Sequence, residues 1–277
     1  KQKETCPMSK AELKEISSFV VETCLEAGKS ILELYKDTEI STKYKSDNTP
    51  LTEADCISQR IINESLFQLT PEIPILSEEG SKLIEKEQKE FWLVDPLDGT
   101  KEFINKNGEF TVNIALVREN EVKLGVVFAP EKNELFCGIP GHGSFKQHCK
   151  GRENIAVTNL NKTKCRITLS KSHKNEGDIR FIEKSKKIFT NVSVIPAGSS
   201  LKLCRVAEGK ADVYCRLGST YQWDIAAGQA VVEGAGGKVI DFNRKSLNYF
   251  LDFQRKNPKF LCVGDPSFNW SDILEGL

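Results

Sequence analysis

The chain has 277 residues, 39% of them hydrophobic and 28% charged, with 39 Lys and Arg set against 39 Asp and Glu. Zero net charge leaves no broad basic field, which argues against nucleic acid as a partner. No apolar run approaches the roughly 18 residues of a membrane span, so no membrane partner is expected either. The length suits one large domain or two modest ones.

The opening residues, KQKETCPMSKAELKE, lack an initiator Met and the apolar core of a signal peptide, and read as a trimmed end. The nine cysteines are odd in number and scattered, and most lie in apolar segments, such as Cys24, Cys137 and Cys204. No CxxC pair occurs and the three histidines make no zinc spacing with them. Reduced, mostly buried thiols in a cytoplasmic protein are the expectation.

Residues 9–37 read as an amphipathic helix, with Leu13, Ile16, Val20, Cys24, Ala27, Ile31 and Leu34 recurring at spacings of three and four. A short extended piece precedes LTEADCISQRIINESLFQL, a second helix that Thr52 is placed to cap. From about 73 to 140 the texture turns to β-like runs: IPIL, FWLV, TVNIALV, KLGVVFA and ELFCGI. Beyond about 155 strands and helices alternate: RITLS, DIRFIEKSKKI, NVSVIPA, SSLKLCRVAEG, ADVYCRL, DIAAGQAVVEGAG and GKVIDF. That alternation argues for α/β layering. The reading is an N-terminal α+β domain over 1–155 and a C-terminal α/β domain over 156–277, with no internal repeat.

The segment LVDPLDGT ends an apolar run on two aspartates. Pro96 disfavours the helical region for Asp95, which should stay extended at the strand end. Its fixed φ should then open a turn that returns Asp98 to the side of Asp95. Two carboxylates about 4 Å apart repel by roughly 4 kcal/mol at an effective dielectric of about 20, and a cation between them reverses the sign. Other acids end or begin elements in the same way: Glu78 and Glu79 in ILSEEG, Asp224 in YQWDIAAG, Asp47 and Asp55 in KYKSDNTPLTEAD. Each also has an ordinary reading: Asp224 as an N-cap, Glu78 and Glu79 as a solvated loop, Asp47 as an Asx-turn. Periodicity alone does not bring them together.

LVDPLDGTKEF together with SEEG, WDIAAG and SDNTPLTEAD resembles the lithium-sensitive, magnesium-dependent phosphomonoesterases of the inositol monophosphatase superfamily. The similarity runs from about residue 10 to 265. DGTKEF followed by NGEFTVNIALV, with LSKSH and GSSLK, is similar to the CysQ-type 3'(2'),5'-bisphosphate nucleotidases of that superfamily. Plain inositol monophosphatases tend to carry Thr-Asn where Lys101 and Glu102 stand.

The resemblance implies an αβαβα sandwich of the inositol monophosphatase and fructose-1,6-bisphosphatase type. It also implies hydrolysis of the 3'-phosphate of 3'-phosphoadenosine 5'-phosphate to AMP, with the sulfated parent nucleotide as a further substrate. The alternative is an inositol phosphate. In this picture Glu78, Asp95 and the carbonyl of Leu97 bind one Mg²⁺. Asp95 bridges to a second, which Asp98 and Asp224 also hold; Glu79 is the less favoured of its pair. Two or three Mg²⁺ per site, with Li⁺ as inhibitor, are implied. Thr100, paired with Asp47, takes a proton from the attacking water. Oxygen donors of this kind are what Mg²⁺ prefers, and Mg²⁺ would offset the charge of five carboxylates facing a phosphate.

By the same resemblance Ser170, His173, Ser199 and Lys202 contact the nucleotide, while the Gly99 and Thr100 amides face the phosphate. Ser199 and Ser200 also suit an anion at a helix start, or an ordinary serine cap. GHGS at 141–144 reads as a turn, VEGAGG at 232–237 as a helix C-cap and KSKK at 184–187 as a solvated helix face. The expected partner is a small nucleotide, and the expected assembly a monomer or weak homodimer.

Overall fold

The first amphipathic segment forms α1 (Lys10–Tyr35) in a computed structural model that describes residues 8–36, 42–44, 50–80, 88–161, 163–170 and 175–277. Ser9 and Glu12 close a capping box at its start: Ser9 N donates to the Glu12 carboxylate at 2.6 Å and Glu12 N to Ser9 Oγ at 3.2 Å. Leu13, Val20, Cys24, Ala27 and Ile31 form its buried stripe, while Ile16 and Leu34 pack at the margin. A small ribbon of β1 (Thr42–Tyr44) and β2 (Pro50–Thr52) leads into α2 (Glu53–Leu69), with Thr52 as its N-cap residue.

Seven strands follow: β3 (Ile75–Ser77), β4 (Glu90–Asp98), β5 (Thr111–Arg118), β6 (Glu121–Ala129), β7 (Glu134–Ile139), β8 (Gly143–His148) and β9 (Gly151–Ile155). They pair in chain order, all antiparallel except β3 with β4. The short helix α3 (Thr100–Ile104) sits between β4 and β5. The last two strands, GSFKQH and GRENI, go beyond the run expected from sequence. β9 is exposed along most of its length, so it carries no apolar alternation to read.

The second sheet contains β10 (Lys164–Leu169), β11 (Asn191–Pro196), β12 (Val213–Arg216), β13 (Lys238–Asp241) and β14 (Phe260–Val263), in the order β11-β10-β12-β14-β13. Its helices are α4 (Glu176–Ile188), α5 (Leu201–Ala207), α6 (Ala226–Gly234) and α7 (Ser271–Leu274).

Three apolar clusters define the layers. One joins α1 and α2 to a face of the seven-stranded sheet, through Val20, Ile31, Ile62, Leu66, Trp92 and Ile114. A second joins the opposite face to α5 and α6 and to the second sheet, through Leu93, Val127, Leu203, Ala230, Val239 and Phe260. The third lies on the far face of the second sheet under α4 and α7, with Ile167, Phe181, Leu261, Trp270 and Ile273. The order is helices, sheet, helices, sheet, helices: the expected αβαβα sandwich.

α6 approaches the first sheet closely because Gly125 and Gly138 lie beneath it. A Cβ on either would collide with the α6 backbone, at Ala227 O and Val231 Cα respectively. The middle helix layer thus lies close on β5, β6 and β7, and the residues just before α5, Ser199 and Ser200, reach Asp98 and Asn113. Among the described residues no helix is long and apolar enough to cross a membrane.

Candidate active site

The DPLD motif is a β-bulge, not the turn its Pro and Gly suggest. β4 runs on through Asp98, and the pairing shifts so that Asp95 faces Asn113 while Asp98 faces Thr111. Three steps on β4 thus oppose two on β5, which is one extra residue. Pro96, lacking an N–H, falls where the ladder is interrupted. Ser58 on α2 donates to the Pro96 carbonyl at 2.7 Å, fixing the bulge from below. In an unbroken strand, residues three apart point to opposite faces. The extra residue cancels that phase and lets both aspartates serve one site.

Their electrostatics agree. Burial pushes the Asp95 carboxyl well above its usual range, and the charges of Glu78, Asp98 and Asp224 push it further. Burial likewise raises Asp98, to about 6, with Lys202 opposing and Glu78 and Glu102 adding to the rise. Asp224 is driven well up by burial and by Asp98. Four acids from three separate parts of the chain therefore meet here, and the charge of Glu78 adds to the rise at each of the three aspartates.

The donor chemistry fits Mg²⁺. Asp95 Oδ1 accepts from Leu97 N at 3.1 Å, Asp98 Oδ2 from Ser200 N at 2.8 Å and Asp224 Oδ2 from Tyr221 N at 2.8 Å. Each keeps its second oxygen without a hydrogen-bond partner among the described residues. As these side chains stand, no three His, Cys, Asp or Glu among the described residues form a closed cage for an ion. Hard oxygen donors crowded in a partly buried site nonetheless suit a divalent cation better than they suit one another. Glu78 lies just beyond β3, its amide donating to Val94 O at 3.2 Å, and Leu97 is buried.

Thr100 opens α3 behind Gly99, whose φ of 90° is a left-handed conformation that favours glycine. Thr100 Oγ1 lies 3.2 Å from Asp55 Oδ1. The other oxygen of Asp55 accepts from Thr52 N at 2.7 Å and Thr52 Oγ1 at 2.6 Å. Burial raises the Asp55 carboxyl, with Glu78 adding and the Thr52 and Thr100 hydrogen bonds opposing. Asp47, the partner implied for Thr100, lies outside the described residues, as does His173.

Ser199, with φ 45°, places its hydroxyl 2.6 Å from Glu109 O and 3.1 Å from Asp98 O. Its proton is therefore engaged by backbone carbonyls beside Gly99. Lys202 is buried, and burial lowers its ammonium to about 8, with Asp98 opposing and Arg216 contributing in the same direction. Ser170, just past β10, lines a small pocket with Lys202, Tyr214 and Arg216. Two adjacent cations beside a serine suit an anionic group.

Sequence reasoning placed Asp55 in α2 without giving it a role in the site, and passed over Arg216 at the end of β12. Arg216 lies one position beyond the apolar core of ADVYCRL, which is the signal that points to it.

The sandwich and its bulge-borne acids belong to a phosphatase-type fold, and residues 12–266 match the Inositol monophosphatase family. The chain belongs to that family. Among curated relatives, the 3'(2'),5'-bisphosphate nucleotidase CysQ of Escherichia coli strain K12 is 40% identical over 244 residues, covering 87% of this chain and 96% of the relative. CysQ of Buchnera aphidicola is 41% identical over 228 residues, covering 81% and 84%. The crystal structure of CysQ from Bacteroides thetaiotaomicron superposes with a TM-score of 0.78 at 34% identity, covering 92% of this chain and 98% of that one.

Proposed function

We propose that the chain is a Mg²⁺-dependent 3'(2'),5'-bisphosphate nucleotidase that converts 3'-phosphoadenosine 5'-phosphate to AMP and phosphate and also accepts the sulfated parent nucleotide. The observation that carries this reading is the contact between Ser200 N and Asp98 Oδ2 at 2.8 Å. It joins the acidic cluster to α5, which carries Lys202 toward Arg216 and Ser170. A phosphate among the acids and a second phosphate at the cations would belong to one substrate.

Glu78, Asp95, the Leu97 carbonyl, Asp98 and Asp224 would hold Mg²⁺. When bound, the ions supply positive charge against the carboxylates and the substrate phosphate and make water more acidic. The chain's own groups do the rest. Thr100 Oγ1 takes a proton from the attacking water and passes its own to Asp55 Oδ1, with Asp47 as the carboxylate that resemblance assigns to this step. Gly99 and Thr100 bring main-chain amides to the same end of the site. Lys202, Arg216 and Ser170 receive the 5'-phosphate side of the nucleotide, with Ser199 bracing the loop and His173 as the further nucleotide contact that resemblance assigns. Li⁺ inhibits by competing at a Mg²⁺ position.

The test is phosphate release with Mg²⁺ from 3'-phosphoadenosine 5'-phosphate, inositol 1,4-bisphosphate and inositol 1-phosphate, each with and without millimolar LiCl. Lithium-sensitive release from the nucleotide is expected. Preference for an inositol phosphate would keep the acidic site and overturn the assignment of Lys202 and Arg216.

A further inference from the structure

Beneath the two bulge aspartates lie three buried polar side chains that the reaction does not use: Thr111, Asn113 and Ser200. Asn113 stands opposite Asp95 in the β4–β5 ladder and Thr111 opposite Asp98. Ser200 arrives from the other half of the chain as the residue before α5. Ser200 Oγ donates to Asn113 Oδ1 at 2.6 Å, an amide oxygen that can only accept. That uses the one proton Ser200 has, so in the 2.8 Å contact between Thr111 Oγ1 and Ser200 Oγ the threonine is the donor. Thr111 Oγ1 in turn accepts from Asn113 Nδ2 at 3.2 Å. The three hydrogen bonds close a ring with one consistent sense, and each bond polarises the next.

The ring leaves the Ser200 amide free to act elsewhere, and it donates to Asp98 Oδ2 at 2.8 Å. We propose that the Thr111–Asn113–Ser200 ring is a positioning device for the metal site. It pins the start of α5 to β5 so that the Ser200 amide fixes Asp98 by one oxygen and leaves Oδ1 as the ligand atom before the ion arrives. The inference rests on Asp98 being a Mg²⁺ ligand, as in the proposed function. The physical reason for such a device is the mutual repulsion of the carboxylates, which would otherwise turn Asp98 away from Asp95. Only proline would remove this main-chain amide, and it would also disturb the start of α5, whereas the ring that aims the amide can be opened by a side-chain substitution.

Thr111→Val keeps the shape and strand preference of the side chain and deletes the donor, whereas Thr111→Ser keeps the donor. Mg²⁺ binding to the full chain without substrate is measured by titration calorimetry, beside the melting temperature in EDTA. Thr111→Val is expected to weaken Mg²⁺ binding about tenfold, the usual effect of losing a group that orients a ligand, and Thr111→Ser to restore it to near the wild-type value. A Thr111→Val protein that melts lower in EDTA but binds Mg²⁺ like wild type would make the ring merely structural and overturn the proposal. If Thr111→Val does not fold, Ser200→Ala, which opens the same ring and keeps the amide, is measured with the same two outcomes. Wild-type protein that binds no Mg²⁺ would instead remove the metal assignment, and the inference with it.

Discussion

Thr100 Oγ1 and Asp55 Oδ1 stand 3.2 Å apart, a hydrogen bond that joins the start of α3 to the first turn of α2. In Asp55→Asn the amide oxygen can still accept from Thr52, while the NH₂ turns to Thr100 and donates to it. The helix cap survives and the direction of proton transfer is blocked. Turnover by Asp55→Asn should fall roughly 10²–10⁴-fold with little change in KM, read from steady-state kinetics beside Asp47→Asn. If Asp55→Asn is as active as wild type and Asp47→Asn is not, the pair is Asp47–Thr100.

Burial and the charges of three neighbouring acids push the Asp95 carboxyl well above its usual range. Asp95→Asn would remove that repulsion together with a proposed Mg²⁺ ligand. We expect turnover lower by several orders of magnitude, a melting temperature in EDTA no lower than wild type, and loss of the rise that Mg²⁺ gives. Because Asp98 titrates at about 6, and Mg²⁺ requires the carboxylate, metal binding should release protons and weaken as pH falls through 6. Proton release measured in two buffers of different ionisation enthalpy checks this.

The acidic signature was legible in the sequence because Asp95, Asp98, Glu78 and Asp224 each lie where an apolar run meets a polar one, and the positions of α1, α2, α4, α5 and α6 were legible too, whereas the short α3 and α7 were not. The bulge was not legible. Pro and Gly signal turns and bulges alike, and only the pairing of Asp95 with Asn113 and Asp98 with Thr111 tells them apart. Nor was the role of Ser200, since a serine before a helix is accounted for by capping. The two polar strands after Ile139 escaped because β8 buries only one large apolar side chain, Phe145, among polar residues, and β9 is exposed along most of its length.

Lys202 and Arg216 form the cationic side of the pocket. Lys202→Gln is expected to raise KM for the nucleotide bisphosphate about 10- to 100-fold, the worth of a hydrogen bond to a charged group, with a much smaller effect on kcat. An unchanged KM would take Lys202 out of the pocket.

α5 is also tied to β7 and β8 by a partly buried ionic network. Glu134 accepts from Arg205 at 2.6 Å and from Lys146, and Glu208 accepts from Lys146 at 3.0 Å. Burial raises the Glu134 carboxyl, but hydrogen bonds from Arg205 and Lys146 outweigh it and hold it at about 2. Its folded value lies below its unfolded one, so its contribution is present above about pH 4.5 and is lost as pH falls toward 2. Glu134→Gln should cost about 2 kcal/mol at neutral pH, the worth of a hydrogen bond to a charged group, since Glu208 still pairs with both Lys146 and Arg205. Its melting temperature should also fall less steeply than wild type between pH 5 and 3. Parallel curves would show that Glu134 does not carry the acid sensitivity.

In the proposed reaction the acidic cluster cleaves the 3'-phosphate while the cationic pocket holds the 5' end. Phosphorus-31 NMR of 3'-phosphoadenosine 5'-phosphate with the enzyme and Mg²⁺ reads this directly. Loss of the 3'-phosphate resonance, growth of inorganic phosphate and a 5'-phosphate that remains as AMP are expected. Release of the 5'-phosphate to leave adenosine 3'-phosphate, or no release with Mg²⁺ present, would contradict it.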